Sequence, residues 1–340
     1  MFVASVAVMG DTRFWSFSPG LRFRLMKAKF TGHDTFPLRY GWLYKAVNHI
    51  KNNGLLSSAD NLHAADAVSA LGVGKNMINA MKYWCESATL TRSTTLEGKL
   101  TQSVTELGAF LFDATDGRDP FLEKTGSVWL LHFLLNFDDE GLTAYRYFFN
   151  YSNVLVFEKS KLTDDLFLDV SRLAGTSKVN LNTVKKDVDC FLNTYSARPE
   201  VKTLKKIAKV TEDSFQSPLC ELNLIADVGR GLYRAEPAER PALPLSIFMY
   251  ALARFHLDRH GDSGVAQVTF EELLSWPKSP GRIFRLSESA LGQMLDEAVA
   301  SYPTKVQWID SLGLKQVVIN QDLLSDPTVL LEEYYEGARQ

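Results

Sequence analysis

Apolar side chains recur at helical spacing along most of this chain, in short segments separated by turn residues. Leu43, Val47 and Ile50 fall on one face of a helix that opens at Pro37, and Lys51-Asn52-Asn53-Gly54 supplies its stop. Ala64, Val68 and Leu71 mark a short helix that ends at Gly72. After Gly72-Val73-Gly74 a second helix runs from Lys75 to Ala88, with Met77, Met81, Trp84 and Ala88 on its apolar face. Its polar face carries Lys75, Asn79, Lys82 and Glu86, with Asn76 at the leading end. Two short helices around a glycine turn, the second amphipathic, predict a helix-turn-helix. Thr89 to Thr95 and Lys99 to Thr105 are rich in β-formers and flank Glu97-Gly98, which predicts a hairpin or wing carrying Arg92 and Lys99.

Residues 105–150 read as helices broken at Asp116-Gly117-Arg118-Asp119-Pro120. Val128 to Leu135, with Trp129 and His132, reads as core, and its histidine as a hydrogen-bonded core residue. A second helix-turn-helix follows a predicted strand at 154–157. Val184, Val188, Phe191 and Tyr195 form its apolar face, and Asn180, Asn182, Lys185 and Lys186 cluster at its leading end. A third unit spans 268–320: two helices joined by Pro277-Lys278-Ser279-Pro280-Gly281-Arg282, then a hairpin of 306–310 with 315–319. Its second helix carries Glu288, Asp296 and Glu297, which repel phosphates and suit a structural or partner-binding role. The expected fold is mainly α with small β-wings (α+β), built from several winged-helix or helix-turn-helix units. The expected domains are 26–150, 151–215 and 216–340, after an upstream extension at 1–25 with Met26 as an alternative start.

Composition narrows the function classes. No apolar run approaches the roughly 20 residues that cross a bilayer, and the apolar first ten residues lack a basic leader and a clean cleavage site. Three cysteines, Cys85, Cys190 and Cys220, have no partner at metal-ligand spacing, so a cytoplasmic, reducing compartment is expected. The net charge of −3 hides an uneven distribution: residues 172–210 hold nine Lys/Arg against three Asp/Glu. A basic block within an acidic protein suits a phosphate-facing surface. Asn and Lys side chains bond base edges and phosphates. The expected contacts to double-stranded DNA are therefore Lys75, Asn76, Asn79, Lys82, Arg92, Lys99, Lys178, Asn182, Lys185, Lys186 and Arg282.

Candidate chemistry is sparser. No standard nuclease motif is intact. Gly32-His33-Asp34 precedes a helix start, whose free N–H groups suit a phosphate. Arg39 adds a cation, His33 a general base or ligand, and Asp34 a carboxylate. These three are the catalytic candidates, weighed against simple helix capping. Asp34, Asp119 and Glu123 are the candidates for a divalent metal, Mg²⁺ or Mn²⁺, although capping is the simpler role for the last two.

Six stretches carry a family resemblance: Phe30-Thr31-Gly32-His33-Asp34-Thr35-Phe36-Pro37-Leu38-Arg39, Gly72-Val73-Gly74-Lys75-Asn76, Asp119-Pro120-Phe121-Leu122-Glu123 with Trp129-Leu130-Leu131-His132, Lys185-Lys186-Asp187-Val188-Asp189, and Ser279-Pro280-Gly281-Arg282. Together, over roughly residues 28–320, they resemble the SspB-type family of bacterial single-strand DNA phosphorothioation systems, long labelled a domain of unknown function. The resemblance implies a metal-dependent DNA-nicking endonuclease in phage defence. Its implied partners are a cysteine desulfurase, an ATPase and an ATP-pyrophosphatase-type sulfur-transfer enzyme, and a homodimer is left open. Two alternatives stand beside it: a non-catalytic DNA-binding or recruitment subunit of the same system, and a winged-helix scaffold that binds only protein.

Overall fold

In the computed structural model the first helix, α1 (Trp42–Asn53), starts later than Pro37. The intervening segment is used for docking instead: Leu38 is buried, and the Arg39 guanidinium lies over the rings of Phe36 and Trp42 at 5.6 and 5.3 Å. The stop is where the sequence put it. Gly54 adopts φ 74°, open to glycine at little cost, and its N–H closes on the Ile50 carbonyl. The structure describes residues 28–56, 67–96, 99–139, 141–173, 179–196, 216–261, 267–311 and 314–337. The expected extension at 1–25, Met26, Ala64 and Glu97-Gly98 lie outside them.

The rest of the first unit follows the predicted order. The described part of α2, residues 67–71, turns at Gly72 into α3 (Lys75–Ser87), which buries Ile78, Met81, Trp84 and Cys85. β1 (Thr91–Leu96) and β2 (Lys99–Val104) then pair antiparallel, with Thr91 opposite Val104. α4 (Glu106–Phe112) starts at Thr105, whose hydroxyl accepts from the Gly108 N–H. α5 (Thr125–Phe137) is buried from Gly126 to Phe137, as its unbroken apolar run requires. α6 (Thr143–Arg146) continues into a π-helical turn at Tyr147–Tyr151.

The next two units share one sheet order. In the second, β3 (Val156–Glu158) leads into α7 (Lys159–Leu173) and α8 (Leu181–Tyr195), and a hairpin of β4 (Ala226–Gly229) and β5 (Leu232–Arg234) returns to it. The third runs through α9 (Leu245–His260), β6 (Gln267–Thr269), α10 (Phe270–Ser275), α11 (Pro280–Ile283), α12 (Glu288–Ser301), β7 (Val306–Ser311) and β8 (Leu314–Ile319). In both, the first strand pairs with the last, giving sheet orders β3-β5-β4 and β6-β8-β7. The β3–β5 ladder runs past residue 215, the expected boundary, because Val156 pairs with Arg234. That hairpin escaped sequence reading, since its strands are three and four residues long; Gly229-Arg230-Gly231 was its one turn signal. The whole is a mixed helix-and-strand, α+β fold. No helix among the described residues is long and apolar enough to cross a membrane.

α5 is the shared spine. Its His132, fully buried, sits between the Tyr195 hydroxyl on α8 (2.7 Å to Nδ1) and the Ile283 carbonyl on α11 (2.8 Å to Nε2). A carbonyl only accepts, so Nε2 carries the proton and Nδ1 accepts from Tyr195. α13 (Gln321–Ser325) and α14 (Val329–Gly337) close the chain, and the Tyr334 hydroxyl accepts from the Gly126 N–H at the head of α5.

Burial pushes the His132 pKa down to about 3, against the Ile283 hydrogen bond and with help from Arg240. As pH falls below the ordinary value of 6.5, the unfolded chain therefore binds this proton first. The contribution is complete above pH 6.5 and is lost as pH falls toward 3. Between those limits the wild type should lose up to about 1.4 kcal/mol per pH unit more than His132→Gln. Urea unfolding of the two proteins between pH 7 and 4 measures that difference in slope.

Candidate nucleic-acid interface

The Thr31–Thr35 loop turns back on itself so tightly that Thr31, Asp34 and Thr35 all adopt positive φ, at 67°, 46° and 66°. Such backbone costs about 1 kcal/mol or more per residue and persists only where surroundings impose it. Three contacts impose it here. Gly32 lies flat on Tyr83 of α3, where a Cβ would stand 2.0 Å from the ring. His33 is fully buried, its Nε2 2.6 Å from Asp187 Oδ1 of α8. The Trp84 indole N–H donates to the Phe36 carbonyl. The loop is thus a clasp between α3 of the first unit and α8 of the second.

The proton on His33 is fixed by its neighbours. Burial lowers its pKa, and the hydrogen bonds and charge interactions with Asp187 and Cys190 together raise it by more, to about 10. Yet the Thr35 N–H points at Nδ1 from 3.1 Å, and a second proton there would face it head-on. The geometry therefore holds a neutral ring that donates from Nε2 and accepts at Nδ1. A general base needs a ring nitrogen open to substrate; both are engaged within the fold. Asp34 is exposed and accepts from Asn79 on α3 at 3.4 Å. Arg39, expected in the first helical turn, is buried on Phe36 and Trp42 outside the helix. The three catalytic candidates are therefore not brought together around a common open point.

The metal candidates fare similarly. Both Asp119 oxygens accept backbone N–H groups, from Glu123 at 2.8 Å and Lys124 at 2.9 Å, and the residue is buried. The Glu123 side chain is exposed beyond that turn. No group of three or more His, Cys, Asp or Glu among the described residues is placed to hold a metal ion. Asp34, Asp119 and Glu123 do not fit such an ion.

The DNA candidates divide by exposure. Lys75 and Asn76, at the leading end of α3, are exposed, as is Arg92 on β1. Asn79 and Lys82 are half-buried, the first on Asp34 and the second 3.9 Å from Glu86. Lys99 opens β2 opposite Leu96. On α8, Asn182, Lys185 and Lys186 are exposed, and Asn180 caps the helix by accepting from the Asn182 N–H. Lys178 and the basic residues at 198–209 lie outside the described residues. Arg282 instead works inside the fold, donating to the Ser152 carbonyl and Asn153, and burial pushes its pKa down to about 10. On α12, Glu288, Asp296 and Glu297 are exposed, an acidic face as the sequence implied.

The residue that sequence reading passed over is Asp187. Its only signal was a carboxylate inside the apolar face of α8, one turn below Val184 and fully buried. Buried charges are paired, so a partner from elsewhere in the chain was implied without being identifiable.

Comparison with known proteins places these features in a family. The model for the family described as Protein of unknown function (DUF4007) matches residues 30–335. Two solved structures are similar, an SspB crystal structure and a magnesium ion-bound SspB crystal structure. Each aligns with a TM-score of 0.77 and 27% identity, over 93% of this chain and 91% of the other. No curated protein matches.

If His33 is a clasp, its loss is a stability defect. His33→Ala removes the ring's hydrogen bond to a buried carboxylate and should cost about 2–3 kcal/mol, whereas exposed Asp34→Ala should cost under about 1 kcal/mol. Denaturant midpoints of the two variants measure this, and equal midpoints would refute the assignment.

Proposed function

The chain belongs to the DUF4007 family and has an SspB-like structure, and on that footing we propose that it is the DNA-binding subunit of a bacterial DNA phosphorothioation system. The observation that carries this reading is the pair α3 and α8. Each exposes Lys and Asn at its leading end, Lys75 and Asn76 on one and Asn182, Lys185 and Lys186 on the other. The Thr31–Thr35 clasp fixes one relative to the other through Gly32 and Asp187.

In this reading the first two units are winged helices whose second helices enter DNA grooves, with Arg92 and Lys99 on the first wing touching phosphates. The third, acidic on α12, faces partners or completes the fold. The partners are those the family resemblance implies: a cysteine desulfurase, an ATPase and an ATP-pyrophosphatase-type sulfur-transfer enzyme. His33 acts as a positioning residue, holding the two reading helices in register.

Similarity to a magnesium ion-bound SspB favours a second reading, in which this chain also nicks one strand with Mg²⁺ or Mn²⁺. His33, Asp34 and Arg39 supply no complete machinery for it.

Binding is tested by fluorescence anisotropy on duplex DNA between 50 and 200 mM salt, roughly the range in which phosphate contacts dominate the response. Lys75→Ala/Lys185→Ala/Lys186→Ala should weaken binding and flatten the plot of log K against log salt by about 0.9 per lost phosphate contact. A triple variant with wild-type affinity and slope would remove α3 and α8 from the interface. Nicking is tested by incubating supercoiled plasmid with Mg²⁺ or Mn²⁺: open-circular product from wild type supports the second reading, and its absence sinks it.

A further inference from the structure

A cleft of about 250 Å³ opens where the C-terminal end of α3 and the foot of β1 meet Asp138 and Gly141. Its polarity is graded from mouth to floor. Arg92 is exposed and Lys29 half-buried, and the Lys29 ammonium is steadied over the Tyr83 ring at 4.7 Å. Ser87 and Thr91, also lining the cleft, are 2% and 4% exposed. The Thr91 hydroxyl oxygen has no hydrogen-bond partner among the described residues, and the Ser87 hydroxyl faces Tyr83 Oη without closing a well-formed bond to it.

That deficit continues inward. The Tyr83 hydroxyl, one helical turn before Ser87, is buried and has the Ser87 hydroxyl beside it, again without a well-formed bond. Nε and Nη2 of Arg146 are buried without partners too, and the Cδ of this side chain packs near Gly141, which lines the cleft. Buried polar atoms are normally paired, and a cluster without partners marks a place where something else completes the bonding. Two carboxylates also line the cleft. Glu86 is occupied by the Ser93 hydroxyl, and Asp138 interacts with Arg146. The remaining free capacity is cationic and hydroxylic, which suits an oxyanion.

We propose that this cleft takes the terminal phosphate of a broken DNA strand. The proposal rests on the DNA-binding reading and names what one part of that surface recognises. A backbone phosphate is flanked by two sugars and has two free oxygens, so it meets only the mouth, Arg92 and Lys29. A terminal phosphate has three free oxygens and no sugar ahead of it, and can lead into the cleft toward Ser87 and Thr91.

The test uses the full chain and duplexes with a central nick bearing a 5′-phosphate, a 3′-phosphate or hydroxyls only, beside an intact duplex. Wild type should bind one phosphorylated nick about tenfold more tightly than the hydroxyl nick, the effect of one or two charge-assisted hydrogen bonds. Ser87→Ala/Thr91→Val should lose that preference while keeping its affinity for intact duplex. Inorganic phosphate at millimolar concentration should erase the preference and raise the melting temperature of wild type but not of the double variant. Equal binding of all nicks, with intact duplex still bound, overturns the proposal and leaves ordered water as the partner of the hydroxyls. If no duplex binds, the DNA reading fails; a phosphate-dependent melting shift confined to wild type would then still support an oxyanion site.

Discussion

The imidazole of His132 holds three segments of the chain at one point, and the arrangement of the units depends on it. It accepts from Tyr195 on α8, donates to the Ile283 carbonyl on α11, and its own helix α5 runs through the core. Asn136, one turn on, adds a donor to the same Tyr195 hydroxyl. Around this polar knot lie Phe149, Phe284 and Trp129 in edge or tilted contact, so water has no access and each bond is correspondingly strong. A neutral histidine with one donor and one acceptor is suited to such a junction, because it satisfies two unlike partners without burying a net charge.

His33 does the same work between the first unit and the second, with a carboxylate as partner. Its ring bridges the strained loop and α8, and Gly32 lets that loop lie directly on α3. The consequence bears on the proposed function. Two amphipathic helices from different units are set at a fixed separation, each with its exposed cations and amides at the leading end. A surface that reads DNA with two elements needs that rigidity, since a side chain displaced by an ångström loses its hydrogen bond to a base edge.

The repeated sheet order leaves the charges free to differ between units. A strand, helices and a returning hairpin recur at 156–158 to 232–234 and at 267–269 to 314–319, and in both the first strand pairs with the last. Exposed positions are not constrained by that pairing. α8 shows Lys185 and Lys186 to solvent, whereas α12 shows Glu288, Asp296 and Glu297. One architecture thus presents surfaces of opposite sign, and only the cationic one suits a polyanion.

Helical spacing, glycine turns and β-rich pairs of segments were enough to locate α3, α8, α12 and two of the three hairpins, because those features depend on neighbours in sequence. The core character of His132 was legible too, from the apolar run around it. The third hairpin was not, since strands of three and four residues carry no period and gain their stability from β3, some seventy residues earlier. Nor was the role of the Gly32-His33-Asp34 loop. Its residue types suit catalysis and clasping equally, and the partner that decides between them, Asp187, lies 154 positions away. The sequence by itself determined which helices are amphipathic and which ends carry cations. Only the tertiary structure decided which polar side chains are buried against each other, because hydrogen bonding and desolvation act through space and leave no local pattern.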